Sequence, residues 1–242
     1  MSGPCPPRGP EAPDWQQPWL APLHEWAVNL PAGRPAFAAL NAVGTGAARF
    51  VDAAALPAGE AYEAFIARTG SVPTRDNLHD LFNGLVWQWQ PALKQRLNQL
   101  QAAQIAAQGV GPTRGALRDA LTLFDEHGAL WPDAPPPLAQ ALAARDWQAL
   151  FITHRALWRQ ARFEIFGHAL LEQLTCAPRK GLTAHVVLGD PRAWSAEQWA
   201  VKPFLPLPVL GIPGWWPANE NLAFYADPKV FRPLRLKPAA TP

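Results

Sequence analysis

Proline decides where this chain can be helical. Its 28 prolines crowd into residues 4–35, 132–137 and 191–242. A ring that fixes φ and removes the N–H donor breaks a helix interior, so the long middle of the chain, with only isolated prolines, is free for helices. The last stretch carries Pro191, Pro203, Pro206, Pro208, Pro213, Pro217, Pro228 and Pro233 and cannot hold long ones. It reads as an extended wrap over 189–242, anchored by Trp199, Trp215, Trp216 and Phe231. Hydrophobic residues make up 49% of the chain and charged ones 17%, enough apolar material for a packed core. Its 12 tryptophans are large core fillers, some of them available for a pocket wall or a partner surface. The expected fold class is mainly α: a helical bundle-like core with a long Pro/Trp-rich irregular C-terminal wrap and at most one or two short strands. The expected domain division is a disordered tail over 1–13 and one mainly helical domain over 14–242.

Periodicity places the helices. Asp14 can cap a helix over 15–29, and shorter ones fit 35–42 and 60–68, with a small-residue loop from Gly44 to Gly59 between them. Thr74 is a plausible cap for the next helix, over 76–90. Pro91 then opens a helix over 92–108 with Leu93, Leu97, Leu100 and Ile105 at helical spacing. Leu117, Ala120, Leu121 and Phe124 share one face of a helix over 114–126. A short helix over 138–144 precedes the longest one, 147–175, bent near Gly167. Thr183 to Leu188 carries the one strand signal.

Several function classes are excluded by simple counts. A formal net charge of +2 gives no bulk attraction for nucleic acid. No apolar run reaches the roughly 18 residues of a membrane span, and the first residues lack the basic start and apolar stretch of a secretory signal. Only Cys5 and Cys176 are present, too few for a metal knuckle or redox pair. Two reduced thiols in the cytoplasm are expected rather than a disulfide. Gly44-Thr45-Gly46 lacks the lysine of a phosphate loop, so no nucleotide cofactor is expected. Ser71 and Ser195 sit in no nucleophile elbow.

What remains is polar chemistry on helix faces. In a helix, 100° per residue brings Asp76, His79, Asp80 and Asn83 within an arc of about 100°, with Leu78, Leu81, Phe82, Leu85 and Val86 opposite. Such residues compete with the backbone for hydrogen bonds and are poor choices for a merely solvated face. Trp87 falls on the same polar side. His168 and Glu172, four apart, can reach a common ion; Asp125-Glu126-His127 ends another helix, and His185 sits on the strand. The spacing fits none of the strong metal signatures. Three readings stand side by side: a fold-locking polar network, a divalent metal site and a metal-free acid–base site.

Four blocks carry a resemblance: PTRDNLHDLFNGLVW (73–87), LRDALTLFDEHGAL (117–130), FGHALLEQL (166–174) and PRKGLTAHVVL (178–188), followed by NENLAFYADPKVFRP (219–233). In this order they resemble a bacterial family catalogued as domain of unknown function 3025, over roughly residues 60 to 235. The resemblance implies no activity and carries no catalytic residue over.

The functional expectation is a small-molecule hydrolase-type site, metal-assisted or not, built from the helices at 76–90, 114–126 and 147–175. Its catalytic and metal-ligating candidates are His79, Asp80, Glu126, His168 and Glu172. Asn83, Trp87, Asp119 and His185 are the substrate-binding candidates. The alternative is a non-enzymatic protein-interaction or structural module.

Overall fold

In a computed structural model that describes residues 13–44, 46, 48–109 and 115–234, the first proline-rich stretch forms a 3-10 turn over Pro18–Leu23 that runs into α1 (His24–Ala27). α2 (Ala36–Val43), β1 (Arg49–Asp52), α3 (Tyr62–Thr69), β2 (Ser71–Thr74), α4 (Leu78–Trp89), α5 (Pro91–Gln108) and α6 (Ala116–His127) follow. Then come β3 (Gly128–Trp131), α7 (Pro136–Ala144), β4 (Glu164–Ile165), α8 (His168–Cys176), β5 (Thr183–Leu188), α9 (Ala196–Ala200) and β6 (Leu205–Pro208). Short 3-10 turns over Val209–Gly211, Pro217–Glu220 and Leu222–Ala226 finish the described chain.

Six strands in two sheets make this a mixed α/β fold, which corrects the expectation of a mainly helical bundle with at most one or two strands. β1 and β2 pair in parallel, Arg49 opposite Ser71 and Asp52 opposite Thr74. The second sheet runs β4-β3-β5-β6, with β3 and β5 parallel and both outer pairings antiparallel. The strands escaped the sequence for identifiable reasons. β1 lies in the small-residue stretch read as loop, and β2 holds Pro73, tolerated because a two-stranded sheet consists of edges. β6 reads Leu-Pro-Leu-Pro, and as an edge strand it can keep its proline nitrogens off the ladder.

The expected helix over 147–175 is broken into a single π-turn over Ala149–Thr153, a 3-10 turn over Arg155–Gln160, β4 and α8. Phe163 sets its ring edge-on against Trp131 at 5.4 Å, and Ile165 is buried beside it. Burying those side chains requires extended backbone against β3, and tertiary packing overrides the local helix preference. The helix expected over 15–29 likewise shrinks to the 3-10 turn and α1. Asn77, not Thr74, caps α4, its side chain accepting from Asp80 N at 2.8 Å. Asp76 therefore stands outside the helix, where its carboxylate accepts from Ala36 N at 3.0 Å. Cys176 is disulfide-bonded, which corrects the expected free thiol and removes the thiol argument for a reducing compartment. The tail expected over 1–13 lies, but for Pro13, outside the described residues. No helix among the described residues is long and apolar enough to cross a membrane.

A hydrophobic cluster runs from Trp19 to Phe231. α4 lies against α8, which also packs on α6, while α5 bridges α3 and α6. Phe124 of α6 stacks on Phe166 at 5.2 Å and meets Trp199 edge-on at 5.1 Å, so the C-terminal segment seals the same core. The helices α4, α6 and α8 thus meet with their polar ends on one side, beside the first sheet.

Candidate functional site

The site is assembled by one short stretch of sheet. Phe166 N and Gly167 N both donate to Gly128 O, at 3.0 and 2.9 Å, pinning the start of α8 to the end of α6. Gly167 has an ordinary φ of −67°, so glycine is needed there for space rather than conformation. A Cβ at this position would sit 2.5 Å from Glu126 O and from His127 Cα, both backbone atoms that cannot rotate away. The close approach sets His168, the first residue of α8, beside Glu126, while α4 brings His79 from the opposite side.

The result is a compact donor set. His79 Nε2 and His168 Nε2 face each other at 3.1 Å, with their rings nearly perpendicular at 72°. Glu126 Oε2 lies 3.6 Å from His168 Nε2. One donor atom from each of the three residues falls within 4.8 Å of the other two. On its far side His79 Nδ1–H donates to Glu172 Oε2 at 2.9 Å, so that in the neutral ring the Nε2 lone pair points inward.

His168 is 4% exposed. Its Nδ1 makes no hydrogen bond of ordinary length among the described residues and lies 3.8 Å from Asp125 Oδ2. With His79 neutral, the hydrogen shared between the two Nε2 atoms must come from His168 and would leave that Nδ1 as a bare lone pair facing a carboxylate. A cation shared between the Nε2 atoms moves the hydrogen to Nδ1, where it faces Asp125 favourably. Two imidazole nitrogens on one ion at bond lengths of 2.0–2.1 Å stand about 2.9–3.4 Å apart for angles of 90–110°. The observed separation lies in that range.

The electrostatics agree. Burial pushes His168 down to about 3, with Lys94 and His79 adding to the effect against the pull of Asp125, so the ring is neutral at neutral pH. Its hydrogen bond to Glu172 raises His79 against the opposing effect of burial. Burial, reinforced by Asp125, raises Glu126. Burial works against the charge on Asp125, but Lys94 outweighs it and holds the carboxyl below its ordinary range.

A cavity of about 390 Å³ opens beside these residues, with Tyr62, Glu63, Arg75, Gln101 and Thr122 among its walls. That is the size of a small-molecule site. A second hollow of about 550 Å³ is flanked by Arg155 and Glu220, which pair with each other at 2.8 Å, and it gathers no comparable donor set.

Of the residues singled out in the sequence, His79, Glu126 and His168 converge, and Glu172 supports them through His79. Asp80 lines the cavity, but both its oxygens are engaged by Arg75: Oδ2 accepts from Arg75 N at 2.6 Å and Oδ1 from Nη2 at 2.8 Å. Asn83 also lines it, bonded to Tyr62 and Lys94. Trp87 is buried below, its ring 5.6 Å from Lys94 Nζ. Asp119 is on the surface, paired with Lys202, and His185 lies against Phe204, its ring centroid 6.0 Å away. Neither reaches the cavity. Sequence reasoning missed Tyr62 and Lys94. Lys94 is 4% exposed and bonds Asp125 Oδ1 at 2.6 Å and Asn83 Oδ1 at 2.7 Å. Its signal was a buried polar row, Lys94, Asn98 and Gln101, at helical spacing beside Leu93 and Leu97.

The chain matches the model of a family described as "Protein of unknown function (DUF3025)" over residues 48–200 and 190–235. No curated protein and no solved structure matches it.

Proposed function

The chain belongs to the DUF3025 family, and for this member we propose a divalent metal ion held by His79 Nε2, His168 Nε2 and Glu126, serving as the Lewis-acid centre of a small-molecule hydrolase-type site. The observation that carries this reading is the pair of inward-facing Nε2 atoms 3.1 Å apart, one of them on a neutral buried ring whose other nitrogen faces a carboxylate. Three protein donors leave further positions for water, which a divalent ion acidifies into a nucleophile near neutral pH. Glu172 takes the supporting role common around metal-bound histidine, fixing the tautomer and raising the basicity of the ring. A mixed nitrogen and oxygen donor set suits Zn, Mn or Fe(II). Arg75–Asp80 and Lys94–Asp125 are assigned to a fold-locking network, which removes Asp80 from the ligand set.

Elemental mass spectrometry on protein purified without chelator or a polyhistidine tag tests this. Near one equivalent of a single ion is expected, lost in His168→Ala and His79→Ala variants that keep their circular dichroism, and retained in Asp119→Ala. Protein that holds no ion and takes none up from Zn, Mn or Fe(II) would overturn the metal centre.

A further inference from the structure

The chain has two tyrosines, and they use their hydroxyls differently. Tyr225 donates to Gly211 O at 2.8 Å and accepts from Arg155 Nη1 at 3.0 Å, so both its capacities are taken. Tyr62 only accepts, from Asn83 Nδ2 at 3.0 Å. That amide cannot be flipped, because Asn83 Oδ1 accepts from Lys94 Nζ at 2.7 Å, and an ammonium can only donate. The hydrogen of Tyr62 has no acceptor among the described residues, while its side chain shares the cavity wall with His79, Glu126 and His168. Burial, with the Asp80 carboxylate nearby, raises the phenol above its ordinary range, so the hydrogen stays in place.

The charges around the cavity restrict what can meet it. Arg75 is spent on Asp80 and Lys94 on Asp125. Among the described residues no lysine or arginine pairs with Glu63 or Glu126; Glu126 has His168 at 3.6 Å, whose ring is neutral, and His79 as its other near neighbour. Even with a divalent ion bound, no lysine or arginine without a carboxylate partner lines the cavity to meet the other oxygens of a phosphate, and Ala53, Leu56 and Pro73 supply an apolar wall.

We infer that the cavity takes an uncharged carboxyl derivative, an amide or an ester, whose carbonyl oxygen accepts the hydrogen of Tyr62. The inference rests on the hydrolase reading for its chemistry. The hydroxide of a water adds to the carbonyl carbon, the C–N or C–O bond breaks, and the second hydrogen of that water leaves on the amine or alcohol. Tyr62 keeps its proton and donates a hydrogen bond to the oxygen as negative charge develops on it.

With only two tyrosines, the full-length protein labelled with 13C at tyrosine Cζ gives two resonances, that of Tyr225 serving as the internal reference. The sample is titrated near neutral pH with N-methylacetamide, an uncharged amide that does not chelate metal, and separately with inorganic phosphate, after its metal content has been measured. The Tyr62 resonance is expected to move saturably with the amide and not with phosphate. Tyr62→Phe, which keeps the ring, is expected to weaken amide binding about tenfold, the order of one lost hydrogen bond, with the metal content unchanged. A Tyr62 resonance that stays still, no saturable amide binding, equal affinity in Tyr62→Phe, or a phosphate-induced shift of Tyr62 each overturns the inference. Metal-free protein whose Tyr62 signal still moves overturns the metal centre and keeps the donor. Metal-loaded protein with an unmoved Tyr62 does the reverse.

Discussion

His79 carries two competing partners at its two nitrogens. Glu172 stabilises a proton on the ring, lifting His79 above the ordinary 6.5, while a metal at Nε2 needs that nitrogen deprotonated. Binding therefore displaces a proton whenever the ring is charged, and affinity falls about tenfold per pH unit below the folded pKa of His79. Replacing Glu172 by Gln separates the two effects. The ring loses the partner that raised it, so the pH below which affinity declines moves down. It also loses the support that sharpens its donor, so affinity on the plateau drops, by roughly 10–100-fold on the usual scale for such partners. Competition against a chelating dye across the pH range reads both quantities. A Glu172→Gln variant with an unshifted decline would show that Glu172 does not set the protonation of His79. At this scale the sequence was partly legible. His79, Glu126 and His168 stood out by residue type, because histidine and carboxylate side chains can ligate a metal or move protons. Asp80 carried the same signal for a structural reason, its pairing with Arg75.

α6, β3 and α8 locate the site through one peptide-to-peptide contact, and Gly167 is its weakest point. A methyl group there meets the backbone of Glu126 and His127 at 2.5 Å, so α8 must move away from α6 or the 166–167 hydrogen bonds to Gly128 O must lengthen. Gly167→Ala is expected to destabilise the fold by about 1–3 kcal/mol, the range for overpacking. Metal affinity is expected to fall in the same variant, because His168 separates from Glu126 while all three donors remain in the chain. A thermal melt with a metal titration checks both; unchanged affinity in a folded Gly167→Ala would detach the donor set from this contact. The pairing that creates it could not be read from sequence. α5 and α6 came through because long stretches with clear 3.6-residue periodicity need no tertiary information. The Glu164–Ile165 strand is two residues long, and only Trp131 and Trp158 lying beside Phe163 make it extended. Its identity is a property of the packed molecule, so the segment read locally as one long helix.

For the whole molecule, the buried and half-buried histidines outnumber the one that gains a charge partner, and that sets how stability responds to acid. Burial lowers His168, to about 3, and also His127 and His185. A lowered histidine favours folding while it is neutral. Its contribution is complete above the unfolded value near 6.5 and is lost as pH falls from there toward the folded value. His79 has the opposite sign: its contribution is complete below about 6.5 and is lost as pH rises through its raised folded value. Asp125, held below its ordinary 3.8, favours folding above that value and loses its contribution as pH falls through the lower folded one. Between about pH 6.5 and pH 4 the three lowered histidines weaken the fold. His79 has already made its full contribution there, and Glu126, raised by burial, acts against them as it takes up its proton. With three groups against one, the melting temperature of metal-free protein is expected to fall over that interval. A second, steeper loss is expected below it, where Asp125 takes up a proton and Lys94 is left buried without its counter-charge. His185→Gln, which cannot take up the proton, should flatten the upper interval without touching the lower one, since His185 lies outside the cavity. With metal present the upper interval should steepen, because the ion that stabilises the folded state is released over the same range. A melting temperature of metal-free protein that holds level or rises as pH drops from about 6.5 to about 4.5 would mean that these rings are not kept neutral by burial, and the neutral His168 on which the metal site depends would lose its physical basis.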